Sequence, residues 1–366
     1  MQVTRLQIRN LRCLAEVEIA PQPGLNLLLG SNGAGKTSVL EALHLMAYGR
    51  SFRGRVRDGL VRSGQDAVEV FVQWQEHGTA RPRRAGLRHS GQAWEGRLDG
   101  ETTQHLGELC AAMMVVSFEP GSHALVSGGG EARRRFLDWG LFHVEHDFLP
   151  LWRRYTRALK QRNALLRSGA PHRQLDAWDH ELAEAGTPLW SRRPHYPGRR
   201  PRGLPGSTRP LAPGRGAARL DYLPGWRRDE MSLADALLVA RDRDIKLGYT
   251  SIGPHRADWR MGFQAMPHGE ALSRGQAKLA ALCCLMAQAA DCAARHDGDW
   301  PLILLDDLAS ELDPAHRERV LAYLRDSGAQ VFISGTDPGA LALSAQADPA
   351  VFHVEHGRVQ PASQAS

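Results

Sequence analysis

The chain has 366 residues, enough for two or three domains with a sizeable core, and its 42% apolar and 23% charged residues are ordinary for a globular protein. A formal charge of +6 favours polyanionic partners, nucleic acid first, although solubility alone also accounts for it. The absence of an apolar run of 18 residues argues against a membrane span. The alternating start is unlike a signal peptide, and five irregularly spaced cysteines argue against a disulfide framework or zinc site and fit a reducing cytosol.

In chain order, Val3, Leu6 and Ile8, then Val17 and Ile19, predict two strands. The apolar run 25–29 ends in glycine and predicts a buried strand, and residues 38–48 carry apolar side chains at helical spacing. Alternation over 66–100 predicts a small antiparallel sheet, and 113–118 a further core strand. From 133 to 189 the apolar period becomes three, four and seven, with a break at 168–171, which predicts an antiparallel helical pair with Trp152 and Trp178 in its core.

Residues 192–216 break the pattern. Eighteen of these 25 residues are Arg, Pro or Gly and none is acidic, so the stretch reads either as a disordered basic loop or as one translated out of frame. Beyond it, helices are expected over 231–246, 277–294 and 315–324, strands over 301–305 and 329–334, and a hairpin over 351–359.

Gly30, Ser31, Asn32, Gly33, Ala34, Gly35, Lys36 and Thr37 match G-x-x-x-x-G-K-[ST] between a strand and a helix. Such a loop turns backbone N–H groups onto phosphates at a helix N-terminus. Lys36 reaches the β- and γ-phosphates and Thr37 binds Mg²⁺. The apolar strand ending in Asp306 and Asp307 places two carboxylates at the same sheet edge: Asp306 for Mg²⁺ and Asp307 to polarise the attacking water. ATP and Mg²⁺ are therefore the expected ligands.

Leu272, Ser273, Arg274, Gly275 and Gln276 open a helix before this strand and resemble the signature motif of ABC-type ATPases, including the SMC and RecF branch. In that class the serine and glycine bind the γ-phosphate held by a second copy. Ser310 to Asp313 resembles the D-loop that crosses the dimer interface, and the whole run from Leu304 to Asp313 is similar to the RecF family pattern. So are residues 119–138, although Gly121 stands where that pattern has an acid, and so is the stretch Thr250–Asp258. Arg12, in Ile8–Arg12, matches an arginine near the nucleotide phosphates in such heads; an edge-strand surface charge is the other reading. Thr336 lies where ABC proteins carry a switch histidine, and a Q-loop residue is not assigned.

The resemblance implies an α/β fold: an ABC-type head with a small antiparallel β-subdomain, built from residues 1–138 and 248–366, with a helical arm at 139–247 inserted between them. It also implies a cytoplasmic protein that dimerises on ATP and hydrolyses it slowly, with stimulation by DNA. The implied ligands and partners are single-stranded, duplex and junction DNA, then RecR, with RecO and RecA as functional partners. The roles implied are recombinational repair, replication restart and SOS induction. A transporter ATPase subunit and a DNA-binding module with an inactive ATPase are the alternatives; the double aspartate, the helical arm and the basic charge argue against the transporter. Arg53, Arg55 and Arg57, like Arg133 to Arg135, read equally as phosphate contacts or solvated charges. The repeated His-Val-Glu-His at 143–146 and 353–356 reads as coincidence rather than a metal site.

Overall fold

The computed structural model describes residues 1–54, 59–79, 81–192, 218–263, 272–337, 339 and 349–362. They form two compact units: Met1–Ser122 with Arg274–Ser366, and His123–Ser273.

The first unit opens with β1 (Gln2–Leu11) and β2 (Leu14–Ile19), an antiparallel hairpin. A bulge between Val3 and Arg5 makes the buried positions of β1 step from Val3 to Leu6 before alternation resumes at Ile8. Next come β3 (Leu25–Leu29), buried at every residue, and α1 (Lys36–Tyr48). Strands β4 (Val68–Gln75), β5 (Arg83–His89), β6 (Trp94–Leu98) and β7 (Glu101–Thr103) extend the hairpin into a six-stranded sheet of order β2-β1-β4-β5-β6-β7. Helix α2 (Leu106–Ala112) and strand β8 (Val115–Phe118) close this segment.

The second unit holds α3 (Ala124–Ser127), α4 (Gly130–Val144), α5 (Phe148–Ser168), α6 (His172–Arg192), β9 (Ala218–Leu223), α7 (Leu233–Leu247) and β10 (Asp258–Phe263). Tyr155, Ala158 and Leu166 of α5 and Leu175, Leu182, Ala185 and Leu189 of α6 are buried at the expected spacing. Gly169, at φ 67°, ends α5 with a left-handed cap. Two features depart from expectation. Trp152 is 39% exposed. Arg162 instead occupies a fully buried position, bonded to Asp179 at 2.5 Å and to Asp244 at 2.7 Å.

These units divide the chain at 122/123 and 273/274, so the described residues 123–138 and 248–263 fall in the same unit as the helical pair. The cause is long-range pairing that local periodicity does not encode. Strand β9 runs antiparallel to β10, Arg133 grips both oxygens of Asp258 at 2.6 and 2.9 Å, and Tyr155 bonds His255 at 2.6 Å. The Arg/Pro/Gly-rich stretch lies outside the described residues except for Arg192, the last residue of α6.

The chain then returns to the first unit with α8 (Arg274–Arg295), β11 (Leu302–Leu305), α9 (Leu308–Glu311), α10 (Pro314–Ser327), β12 (Val331–Gly335), β13 (Ala350–Glu355) and β14 (Arg358–Pro361). Strands β13, β3, β12, β11 and β8 are parallel neighbours, with β14 antiparallel at one edge. Helix α1 shares a core with both sheets, packing with Leu6, Val70 and Trp74 of one and Leu28, Leu304 and Phe332 of the other. Its residues from Ser38 to Ala47 are accordingly all buried. Helix α8 is long and apolar enough by composition to cross a membrane, but 67% of its apolar window is buried. Its small residues pack as core, with Ala277, Ala281, Cys284 and Ala287 each at most 2% exposed.

Candidate nucleotide site

The glycine loop between β3 and α1 has the backbone its motif demands. Gly35 takes φ 117°, which a β-carbon strains, and such a carbon would lie 2.8 Å from Leu14 Cδ2. At Gly30 a β-carbon would lie 2.0 Å from the carbonyl oxygen of Val354, so the close passage of β13 requires glycine there. The loop is pinned further where Gly357 N–H donates to Ala34 O at 3.0 Å. Ser31, Asn32 and Gly33 at its tip are exposed. Lys36 turns its ammonium into the loop, donating to Gly30 O at 2.7 Å and Ser31 O at 2.8 Å. Burial lowers its pKa, opposed by the charges of Asp307 and Asp306.

The acidic pair meets this loop. Thr37 Oγ1 donates to Asp306 Oδ1 at 2.9 Å, and Ser334 Oγ donates to the same oxygen at 2.6 Å. Ser334 Oγ also accepts the N–H of Asp307 at 2.9 Å, so one hydroxyl at the end of β12 orients both acids. Burial raises the pKa of Asp306. The hydroxyls of Ser334 and Thr37 counter it, neighbouring Asp307 adds to it, and Arg53 acts against it. Asp307 is exposed and holds a left-handed φ of 52°, a conformation Asp tolerates better than most side chains. Among the described residues no Lys or Arg forms an ion pair with Asp306. A buried carboxylate beside a hydroxyl, with no cation on it, is a hard-oxygen set suited to Mg²⁺.

A second cluster braces the same helix. Glu41, one turn after Thr37, is fully buried and accepts two bonds from Arg12, at 2.6 and 2.7 Å. It also accepts from Ser51, whose Oγ in turn accepts the N–H of Arg53 at 2.9 Å. Through this pair Arg12 clamps the β1–β2 turn to α1. Glu41, Ser51 and Ser334 are not singled out by the sequence; Glu41 is the one acid of α1, flanked by Leu40 and Ala42, and that is the available signal for it. One turn further along α1, buried His44 stacks on Tyr48 at 4.1 Å and shares a 3.0 Å hydrogen bond with Ser117. Burial pushes its pKa down to about 3.

Ser273 and Gly275 are exposed at the start of α8, with Gln276 half-buried. Lys278, on the first turns of α8, bonds Glu311 of α9 at 2.8 Å, joining the signature helix to the segment that resembles the D-loop. Asp313 caps α10, accepting from His316 N–H at 3.0 Å, and these bonds lower its pKa. Thr336 is exposed.

Other candidates are committed elsewhere. Arg133 is paired with Asp258, Arg134 donates to Ala257 O at 2.9 Å, and Arg135 pairs with Glu131. Arg55 and Arg57 lie outside the described residues. No group of three metal-ligating side chains occurs among the described residues, and His143 packs on Trp139 at 4.6 Å.

Comparison with known proteins accords with this geometry. The family model described as the RecF/RecN/SMC N terminal domain matches residues 2–360. The DNA replication and repair protein RecF of Stenotrophomonas maltophilia is 63% identical over 98% of this chain and 99% of its own length. That of Xanthomonas axonopodis pv. citri is 62% identical over 98% of each chain, and that of Thioalkalivibrio sulfidiphilus 39% identical over 98% of this chain and 99% of its own. Among solved structures, one of the recombination mediator protein RecF with ATP in the RecFOR pathway superposes with a TM-score of 0.84 at 23% identity, covering 99% of this chain and 98% of that one. An SMC head bound to the C-winged helix domain of ScpA superposes with a TM-score of 0.58 at 16% identity, covering 100% of this chain and 98% of that one. With a family model spanning almost its whole length and relatives of such identity, the chain belongs to the RecF family of DNA replication and repair proteins within the wider RecF/RecN/SMC group.

Proposed function

We propose that the chain is an ATP-gated, DNA-binding clamp whose two copies close around nucleotide. The convergence of Thr37 and Asp306 beside the loop that holds Lys36 carries this reading. Lys36 neutralises the β- and γ-phosphates, and the backbone of Gly30–Gly35 wraps them. Thr37 and Asp306 would hold Mg²⁺, which when bound supplies charge neutralisation on the phosphate oxygens. Asp307, oriented through its backbone by Ser334, accepts the proton of the attacking water. Ser273, Gly275 and Gln276 of a second copy complete the γ-phosphate site, with Asp313 on the segment that crosses to the partner. Hydrolysis by a lone copy is therefore slow, because the transition-state donors arrive only with the dimer. Arg12 supports the site through Glu41.

DNA, whether single-stranded, duplex or at a junction, is the partner, held chiefly through phosphates. RecR is the direct protein partner, RecO and RecA are the functional ones, and the protein works in the cytoplasm. Lys36→Ala tests the reading: nucleotide binding and nucleotide-dependent DNA retention should both be lost, and unchanged retention in ATP would refute it.

A further inference from the structure

Helix α5 carries six cations and no acid: Arg153, Arg154, Arg157, Lys160, Arg162 and Arg167. Two of them turn toward neighbouring acids. Arg154 bonds Glu181 at 2.6 Å and Glu184 at 2.5 Å, and Arg162 bonds Asp179 and Asp244. Arg241 of α7 takes the remaining acids of α6, bonding Asp176 at 2.8 Å and Asp179 at 2.5 Å. The acids of the helical pair are thereby consumed by Arg154, Arg162 and Arg241.

The other four cations of α5 make no ion pair among the described residues. Arg157, Lys160 and Arg167 are exposed and Arg153 is half-buried. Arg157 comes near enough to Glu181 to favour that acid's charged form, after the hydrogen bond from Arg154. At about 100° per residue, positions 153, 157, 160 and 167 fall within about 40° of a common line along the helix. The stripe is about 21 Å long at the helical rise of 1.5 Å per residue. Ala164 lies on the same line, with Thr156 and Gln161 at its margins, and no acid interrupts it. Trp152, the exposed aromatic of this helix, is turned about 100° from the line.

We infer that this face of α5 is a docking strip for the sugar-phosphate backbone of double-helical DNA. The inference rests on the nucleic-acid reading above and assigns it a surface. A straight row of four cations outside any ion pair among the described residues complements a rigid polyanion. Contacts from such a row to phosphate oxygens fix position and register without themselves carrying sequence information. It also lacks an aromatic platform, which a single strand with unstacked bases needs for tight binding. The aliphatic stem of Arg167 lies beside Gly248, where a β-carbon would be 3.5 Å from its Cγ, so that end of the strip is partly ordered before any ligand arrives.

The test compares the full-length protein with a quadruple variant, Arg153→Gln, Arg157→Gln, Lys160→Gln and Arg167→Gln, and with a charge-preserving set, Arg153→Lys, Arg157→Lys, Lys160→Arg and Arg167→Lys. Affinity for a blunt duplex and for a single strand of equal length is measured between 50 and 200 mM salt with ATP and Mg²⁺ present. Each phosphate contact contributes about 0.9 to the slope of log affinity against log salt, so the glutamine variant should lose about 3 to 4 from the duplex slope. It should keep the single-strand slope and the nucleotide affinity, and the charge-preserving set should behave as wild type on both DNAs. An unchanged duplex slope, an equal loss on both DNAs, or a loss with the charge-preserving set as well would overturn the assignment to this face. Wild-type protein that retains no DNA at any salt would instead overturn the DNA-clamp reading on which it rests.

Discussion

Thr37 and Asp306 stand 269 positions apart in the chain, yet the hydroxyl of one donates to the carboxylate of the other at 2.9 Å. That bond ties the first residues of α1 to the end of β11, and it is the point where the two halves of the nucleotide site meet.

Asp306 sets stability against function. Burial holds its pKa above the ordinary 3.8, so the folded chain binds more protons than the unfolded one between that value and the folded pKa. Stability present at low pH is lost as pH rises through the folded pKa, and at neutral pH the ionised acid is a cost. Asp306→Asn should therefore raise the thermal midpoint of the nucleotide-free protein at pH 7. It should also weaken ATP binding in Mg²⁺ by about 10- to 100-fold, the equivalent of one charged contact of about 1.5–3 kcal/mol. Calorimetric melting and titration with nucleotide check both; a lower midpoint with undiminished affinity would contradict the assignment.

Ser273→Arg should separate binding from closure. Ser273 is exposed at the start of α8, so the larger side chain leaves the fold intact. Nucleotide affinity of the single copy should stay within about twofold, while ATP-dependent dimerisation should fall below detection, as read by light scattering. Normal dimers from this variant would show that the signature serine does not face a partner's nucleotide.

Glu41 should behave as a buried anchor. It is fully buried with Arg12 and Ser51 bonded to it, so Glu41→Ala leaves the Arg12 charge without its carboxylate. The expected loss is about 3 kcal/mol in denaturant unfolding, at the lower end for a broken buried pair because Arg12 keeps some contact with water. A variant of wild-type stability would remove Glu41 from this role.

The histidines give an acid limit. Burial pushes His255 down to about 4, against the bond its Nε2 makes with the carbonyl of Thr250, and its Nδ1 bonds Tyr155. A depressed histidine stays neutral in the folded chain, so its stability is fully present above the ordinary 6.5 and is lost as pH falls toward 4. Two and a half pKa units correspond to about 3 kcal/mol. Urea midpoints of the wild type should fall between pH 7 and 5, and His255→Asn should flatten that dependence. Parallel curves for the two proteins would place the pH sensitivity elsewhere, His44 being the next group to examine.

The first unit was legible in the sequence because its signals are local. The all-apolar β3 followed by the glycine loop, and β11 ending in two aspartates, each announce a strand and its terminal chemistry within ten residues. The helical pair was legible from its period, as Tyr155, Leu166, Leu175 and Leu182 show. Ser334 escaped notice because a serine at a strand end is commonplace and its partners lie 27 and 28 positions away. Arg162 escaped because its acids come from α6 and α7, so nothing near it in sequence marks a charge as buried. The unit boundaries escaped for the same reason: β9 meets β10, and Arg133 meets Asp258 from 125 positions away, through pairings that no local pattern marks.

Sedimentation velocity of the wild type and of Lys36→Ala, with and without ATP and Mg²⁺, tests the nucleotide-gated clamp most directly. The wild type should pass from one copy to two only when nucleotide is present, and Lys36→Ala should remain single throughout. A wild type whose sedimentation ignores ATP, or a Lys36→Ala protein that pairs as readily, would contradict it.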